Sequence, residues 1–249
     1  MADLFPRTIV GGVSMPRMIM GTNWLLGWSH TGAAADAGIK EKYQKPEDFF
    51  PVFKAYLDRG VDALMGPISN NELGLSAIKY AEDKLGKKII LIDTPSFNVD
   101  DTPEARREAQ RAIKKSREAG ATFTLVHHAS AEQLVNKNKR EITRLPDYLS
   151  MIRDEGLIPG LSAHMPELVT YSDKNEYDVE TYIQIFNCMG FFDAGRDRVC
   201  RPHHSQCQKA CHDHQAHGCR SMHALCGVDL QLERHPRLRH GDGGSGKCF

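Results

Sequence analysis

The sequence predicts an α/β protein of the (βα)8 TIM-barrel type, and three observations support that prediction. A helix-like segment, a glycine and a short apolar segment follow one another four times, at Gly60, Gly86, Gly120 and Gly156. Strands that alternate with helices through short loops form parallel, right-handed β-α-β units. No Gly-x-Gly-x-x-Gly motif follows the first strand, and polar residues end the strands, which together favour a closed barrel over an open dinucleotide-binding sheet.

The helices are predicted from apolar stripes and from end signals. Residues 46–59 carry an apolar stripe that includes Phe49 and Phe53. The segment that begins at Thr102 opens with a typical N-cap, followed by a proline at the first helical position. The predicted helices cover residues 46–59, 72–85, 102–119 and 145–155.

The strands are predicted from short apolar runs rich in β-branched and aromatic residues. Residues 88–95 are so apolar that both faces of this strand must be covered, which is typical of a parallel sheet. Residues 122–128 follow Gly120 and end in two histidines. The predicted strands cover residues 16–24, 61–67, 88–95, 122–128, 157–164 and 179–188.

Composition restricts the class of partner. The chain has 249 residues, of which 32 are basic and 32 are acidic. With this balance the chain has no net positive charge that would attract nucleic acid or an anionic membrane surface, so we expect a small-molecule substrate. No apolar run approaches the roughly 20 residues that a membrane span needs, and the N-terminus shows no signal pattern. We therefore expect a cytoplasmic protein that binds neither nucleic acid nor membrane.

The composition changes near residue 192, and the six predicted strands are fewer than the eight of a closed barrel. Six of the seven cysteines and eight of the twelve histidines lie beyond that point. We therefore divide the chain into an incomplete TIM barrel, residues 1–192, and a tail, residues 193–249, expected to be disordered or loosely packed. A zinc site is one interpretation of the tail, although the spacing is not that of a paired Cys-x-x-Cys module. The candidate zinc ligands are Cys207, Cys211, His212, His214, His217 and Cys219.

A second interpretation is that the tail is frameshifted. Shifting the reading frame by one nucleotide allows residues 208–215 to be read as Lys-Lys-Pro-Val-Met-Thr-Ile-Lys, a helix end followed by a strand with a lysine at its tip. The same shift allows residues 239–244 to be read as Asp-Met-Val-Thr-Val-Gly. These segments would supply the seventh and eighth strands, and without them the unclosed barrel edges are open to oligomerisation. Sequencing the DNA that encodes residues 191–193 tests this interpretation.

Three motifs carry a resemblance to a known family. They are Gly-Thr-Asn-Trp-Leu-Leu-Gly-Trp-Ser-His-Thr at 21–31, Ile-Asp-Thr at 92–94 and Gly-Leu-Ser-Ala-His-Met-Pro-Glu at 160–167. Over residues 16–191 the chain resembles a family of uncharacterised bacterial TIM-barrel proteins. That family is related at the level of the fold to aldolase-type barrels and faintly to aldo/keto reductases. The resemblance implies a (βα)8 fold and, by itself, no particular reaction.

Histidines end the fourth and fifth predicted strands. His127 and His128 are adjacent, so on a strand their side chains point to opposite faces and only one of them faces the barrel mouth. That histidine and His164 are candidate catalytic acids or bases, or metal ligands, because the site of a barrel lies at the carboxyl ends of its strands. The alternative is a histidine that caps a neighbouring loop.

Two acids accompany these histidines. Asp93 ends the third predicted strand, where it can orient a histidine, bind a metal or move a proton, and capping of the following turn is an equally good interpretation. Glu167 lies three residues beyond His164. An acid is expected in the first turn of a helix that begins at Pro166, so the helix dipole explains Glu167 without a role as a ligand.

The loop after the first strand is the candidate substrate-binding loop. It contains Asn23, Trp24, Trp28 and His30, including both tryptophans of the chain. Aromatic walls with a few polar groups are typical of small-molecule pockets, although a loop that merely covers the barrel top fits equally well. Asn187, at the end of the sixth strand, is a further candidate substrate contact.

The combined pattern leads us to expect an enzyme acting on a small carbonyl or phosphorylated metabolite by acid/base chemistry. As a lyase, aldolase or isomerase it would use a histidine to move the proton and Asp93 to orient that histidine. No cofactor is identified. In the first alternative, a metal-dependent hydrolase or isomerase, Asp93, His128 and His164 hold a divalent metal. In the second, the chain is an inactive, truncated product or has a zinc-binding tail.

Overall fold

The structure is a computed structural model that describes residues 4–185. Its strands are β1 (Arg7–Val10), β2 (Val13–Pro16), β3 (Met20–Gly21), β4 (Ala63–Gly66), β5 (Ile90–Asp93), β6 (Phe123–Val126), β7 (Val135–Asn136), β8 (Glu141–Ile142), β9 (Ile158–Ala163) and β10 (Thr181–Gln184). Its α-helices are α1 (Asn23–Leu26), α2 (Ala33–Lys42), α3 (Pro46–Leu57), α4 (Glu72–Leu85), α5 (Pro103–Glu118), α6 (His128–Ala131), α7 (Leu145–Asp154) and α8 (Pro166–Lys174). A 3-10 turn, Glu132–Leu134, follows α6.

Six parallel strands form the main sheet of the described chain. They lie side by side in chain order, β3, β4, β5, β6, β9 and β10, and every neighbouring pair is parallel. Helices connect successive strands, as expected for β-α-β units. The sheet is therefore a partial TIM barrel, and the predicted fold class is confirmed.

The two faces of the sheet bury different cores. Leu64, Leu91 and Val126 pack among residues of the surrounding helices. Met65 and Ile92, which point the other way, pack with residues of β1 and β2 in a separate core. This division follows from the period of two along a strand, which sends successive side chains to opposite faces.

A hairpin of β1 and β2 closes the amino-terminal end of the sheet. The guanidinium of Arg7 donates to the carboxylate of Asp62 at 2.9 Å and to the carbonyl of Gly60 at 3.2 Å, just before β4. Val10 and Met15 of the hairpin are buried in the same core as Met65 and Ile92. The sequence did not indicate this hairpin, because its strands are only four residues long and half of their residues are exposed.

The predicted helices are confirmed within two residues of their ends. Gly86 shows why a glycine ends them: it has φ +62° and donates its N–H to the carbonyl of Glu82 at 2.8 Å. The segment between the first strand and residue 46 differs from the prediction, because α1 includes Trp24 of the predicted loop and α2 follows that loop where no helix was predicted. Helix α2 has good helix formers but a single buried residue, Ile39, so it lacks an apolar stripe.

The strands are shorter than predicted. The first predicted strand, residues 16–24, contains the end of β2 and the two residues of β3, and the sixth ends at Gln184 as β10. Asn187 and the whole tail, including the proposed domain boundary and the zinc and frameshift interpretations, lie outside the described residues. No helix between residues 4 and 185 is long and apolar enough to cross a membrane.

Candidate functional site

Three histidines come together where β6 and β9 end. The ring centroids of His128 and His164 are 3.8 Å apart with an interplanar angle of 22°, and those of His127 and His128 are 4.0 Å apart at 39°. Because β6 and β9 are parallel neighbours, their carboxyl ends lie at the same edge of the sheet. We call these three residues the histidine stack.

The prediction that His127 and His128 point to opposite faces is wrong. Strand β6 ends at Val126, and His128 is already the first residue of α6. The period-two rule therefore no longer applies between the two side chains, and both rings join the same stack. His127 is extended, with φ −61° and ψ 144°, and its Nδ1 accepts the backbone N–H of Ala129 at 3.2 Å as the N-cap of α6.

This capping bond selects one form of His127. Since Nδ1 accepts a hydrogen bond, the neutral ring carries its hydrogen on Nε2, as assigned from the hydrogen-bond pattern. Protonation of Nδ1 would replace that acceptor with a second donor facing the N–H of Ala129. His127 is therefore held neutral and acts as a structural cap. His128 and His164 are the members of the stack better suited to exchange a proton.

All three rings are disfavoured as cations. Burial, together with the neighbouring His128, lowers the pKa of His127 to about 4. Burial and the neighbouring imidazoles also lower the pKa values of His128 and His164. Glu132 opposes this effect and raises the pKa of each ring. The stack is therefore neutral at pH 7, when imidazoles serve as proton acceptors.

Glu132 is the residue at this site that the sequence analysis missed. Its Oε1 accepts the backbone N–H groups of His164 at 2.7 Å and of Met165 at 2.9 Å. The side chain thereby joins the loop after β6 to the turn after β9. The only signal available from sequence was an acid four residues after a strand-end histidine, a spacing that also occurs on many exposed helices.

The first loop reaches the same edge. Asn23 Nδ2 lies 3.1 Å from His30 Nε2, and His30 contributes to the lowered pKa of both His128 and His164. His30 has φ +59°, a left-handed conformation, in a segment tied to α2 by bonds from Ser29 to the carboxylate of Asp36. His30, which contacts Asn23, thus acts electrostatically on the histidine stack, and a role of either residue in binding substrate stays a prediction.

The two tryptophans are partly exposed. Trp24 has 43% of its surface exposed and Trp28 has 40%. Trp24 lines a cavity of about 470 Å³ between α1, α2 and α3, together with Leu25, Tyr43 and Tyr56, and the stack does not contribute to that lining. Trp24 therefore faces a different space from the histidines. A role for either tryptophan as a substrate wall stays a prediction.

Asp93 lies apart from the stack. It is fully buried, and its Oδ1 accepts the backbone N–H groups of Ile68 at 2.9 Å and of Ser69 at 3.1 Å. Its Oδ2 accepts the hydroxyl of Ser116 in α5 at 2.5 Å. These contacts connect β5 to the segment after β4 and to α5, and none of them is with the turn after Asp93 that the capping interpretation named. The predicted role of orienting a histidine has no counterpart in these contacts.

The remaining candidates are placed as follows. Glu167 is in the first turn of α8 and forms an ion pair with Lys137 at 2.9 Å, consistent with its expected position at a helix start. Among residues 4–185, no group of three or more histidine, cysteine, aspartate or glutamate side chains could hold a metal ion. The alternative ligand set of Asp93, His128 and His164 is therefore not assembled in the described chain.

Comparison with known proteins identifies a fold and no closer relationship. A thermostable aldo-keto reductase in complex with epalrestat matches 82% of this chain and 69% of its own, at 16% identity and a TM-score of 0.51. A protein from Pseudomonas aeruginosa classed as an aldo-keto reductase matches 85% and 76%, at 12% identity and a TM-score of 0.50. The glycerol dehydrogenase from Gluconobacter oxydans matches 73% of this chain at 15% identity and a TM-score of 0.45. No family model and no curated relative matches the sequence.

These matches confirm the TIM-barrel resemblance, including its likeness to aldo/keto reductases, at the level of the fold. The chain spans only 55% of the length of the glycerol dehydrogenase. The prediction of a lyase, aldolase or isomerase is wrong by this comparison, because the proteins matched at TM-scores of 0.50 and 0.51 are described as aldo-keto reductases. The hydrolase and inactive-product alternatives gain no support from it either.

Proposed function

We propose that this barrel is an oxidoreductase that interconverts a small carbonyl compound and its alcohol, with His128 and His164 transferring the proton. The observation that carries the proposal is the histidine stack, three neutral imidazoles at the carboxyl ends of two parallel strands. The carboxyl end is where barrel enzymes bind substrate. The two fold matches with TM-scores of 0.50 and 0.51, both described as aldo-keto reductases, support this reaction class over others that use histidine.

The lowered pKa values determine the favoured direction of proton transfer. A neutral imidazole of His128 or His164 accepts the proton of a substrate hydroxyl when the alcohol is oxidised. In the reverse reaction the imidazolium returns that proton to the carbonyl oxygen. Because burial makes the imidazolium scarce at pH 7, we expect alcohol oxidation to persist at neutral pH and carbonyl reduction to increase as the pH falls.

A nicotinamide cofactor, when bound to such an enzyme, supplies or accepts the hydride. Its pyrophosphate is usually held by a glycine-rich turn at a helix N-terminus. Residues 4–185 contain no Gly-x-Gly-x-x-Gly turn, so the described part of the chain does not fit that way of holding the cofactor. The described residues therefore account for proton transfer, and we assign none of them to the nicotinamide.

The test follows reduced nicotinamide fluorescence with the full-length chain and a panel of small aldehydes, ketones and alcohols. We expect His128→Gln and His164→Gln each to lower kcat/KM by about 10²- to 10⁴-fold, the usual effect of removing an acid/base group. Gln133→Ala is the matched control, since Gln133 is exposed and lies on the same loop as the stack. Its rate should equal that of the unmodified chain.

Two results would contradict the proposal. One is the absence of nicotinamide turnover with every substrate of the panel. The other is turnover that survives both histidine substitutions in chains whose circular dichroism and unfolding midpoint are unchanged.

The wider setting of this activity stays a prediction. A small-molecule substrate and a cytoplasmic location are part of the proposal, as is the lack of nucleic-acid or membrane partners. Within the described sheet β3 and β10 are the outermost strands, and association of two copies through such edges is the oligomer expected from the sequence. Size-exclusion chromatography with light scattering tests that association.

A further inference from the structure

Glu132 occupies a position that joins the two loops of the candidate site. It lies in the 3-10 turn that follows α6, and its side chain reaches the turn between β9 and α8. A single oxygen, Oε1, accepts both backbone N–H groups of that turn, at 2.7 and 2.9 Å. These two N–H groups precede Pro166, which has no N–H of its own, at the start of α8.

We infer that Glu132 is a positioning residue that holds His164 in the histidine stack and presents a negative charge to the imidazoles. This inference rests on the proposed function for the identity of the proton-transferring rings. The backbone contacts explain the first part, because His164 can stack on His128 only if the turn after β9 keeps its present path. The second part depends on the charges around the rings.

The charged and titratable groups that act on the stack come from three segments of the described chain. His30 comes from the loop after β3, His127, His128 and Glu132 from the segment after β6, and His164 from the turn after β9. Among them Glu132 is the group that favours protonated rings, while the histidines disfavour one another. Its carboxylate therefore stabilises the imidazolium that proton transfer produces.

The two contributions can be separated by substitution. A glutamine at position 132 keeps a carbonyl oxygen that can accept both backbone N–H groups, but it removes the charge. An alanine removes the acceptor and the charge together. Glu141→Gln is the matched control, because Glu141 is a partly exposed acid of the following hairpin whose ion pair with Lys139 is 3.7 Å long.

The experiment is an NMR titration of the histidine ring protons in the full-length chain, combined with hydrogen exchange of the backbone amides. We expect Glu132→Gln to lower the titration midpoints of His128 and His164 by about 0.5 to 1 pH unit, while Glu141→Gln leaves them unchanged. The amides of His164 and Met165 should stay protected in Glu132→Gln and exchange at least tenfold faster in Glu132→Ala.

Unchanged midpoints in Glu132→Gln would overturn the electrostatic part, and unchanged amide protection in Glu132→Ala would overturn the positioning part. Both readouts are independent of catalytic turnover. If the midpoints shift and the amides respond but no nicotinamide turnover exists, the proposed function fails and the role of Glu132 in holding the stack stands.

Discussion

Asp93 and His127 lie at comparable places in the sheet and have different surroundings. Asp93 is the last residue of β5, and His127 directly follows the neighbouring strand β6. Asp93 is fully buried against α5 and the segment after β4, with three hydrogen bonds to its carboxylate. His127 is partly exposed and stacks on His128 at the barrel mouth.

The difference arises from the alternation of side chains along a strand. In β5, Ile92 packs in the core enclosed by the sheet, so the next residue, Asp93, points toward the helices. In β6, Val126 packs among the helices, so the next residue, His127, points the other way. A polar residue at a strand end is therefore a site candidate only when its register turns it toward the mouth.

The largest expected effect that tests this comparison is on stability at Asp93. Asp93→Ala removes three hydrogen bonds and leaves the N–H of Ser69 without its acceptor, whereas the N–H of Ile68 and the hydroxyl of Ser116 keep the backbone carbonyls of Gly66 and Ala112 as acceptors. We expect a loss of about 2 to 3 kcal/mol in the free energy of unfolding, measured by urea denaturation. Asp93→Asn, which keeps one acceptor oxygen, should lose about half as much. A fully stable alanine variant would show that this carboxylate is not structural.

A smaller effect on the free energy of unfolding is expected from the protonation of the histidine stack as the pH falls. Burial places the pKa values of the stack below those of the unfolded chain, near 6.5 for histidine, so the unfolded chain binds more protons in mildly acidic solution. This contribution to stability is complete above pH 6.5 and is lost as the pH falls toward about 4. We expect the free energy of unfolding to drop by about 1 kcal/mol between pH 7 and pH 5, since partial exposure screens the full shift. His127→Gln should flatten this slope, and an unchanged slope would contradict the burial of its ring.

The smallest effect is expected on stability at His127. His127→Ala removes the side-chain acceptor for the N–H of Ala129 at the start of the four-residue helix α6. The loss of such a cap costs about 0.5 to 1 kcal/mol, several times less than the loss expected at Asp93. The same urea denaturation measures both variants. Equal losses for Asp93→Ala and His127→Ala would remove the distinction between a strand-end side chain buried against the helices and one that faces the mouth.

Much of the scaffold was predictable because local signals determine it. The helix that begins at Pro103 was predicted from the N-cap Thr102, whose side chain indeed accepts the N–H of Ala105 at 3.1 Å. The parallel order of the strands followed from the alternation of helices and strands. Helix α2 was missed because Ile39 is its single buried residue, and the β1–β2 hairpin because its strands are only four residues long and half of their residues are exposed.

The candidate site was predictable only in part. His127, His128 and His164 were identified by their positions at the ends of apolar strands, and the structure brings them together. Asp93 was grouped with them on the same reasoning, although its carboxylate bonds to Ser116 and to backbone N–H groups instead. Glu132 was missed because its role depends on contacts with residues more than 30 positions away.

The sequence by itself determined the α/β class, the order of the strands and the edge of the sheet at which the histidines lie. Helix caps, glycines that end helices and the spacing of apolar residues determine these features, because each acts over only a few residues. Only the tertiary structure decided which strand-end side chains share that edge. The start of α6 at His128 turned two adjacent histidines into one stack, and the register of β5 turned Asp93 into the helix layer. Those outcomes depend on packing between segments distant in the chain, which local patterns do not encode.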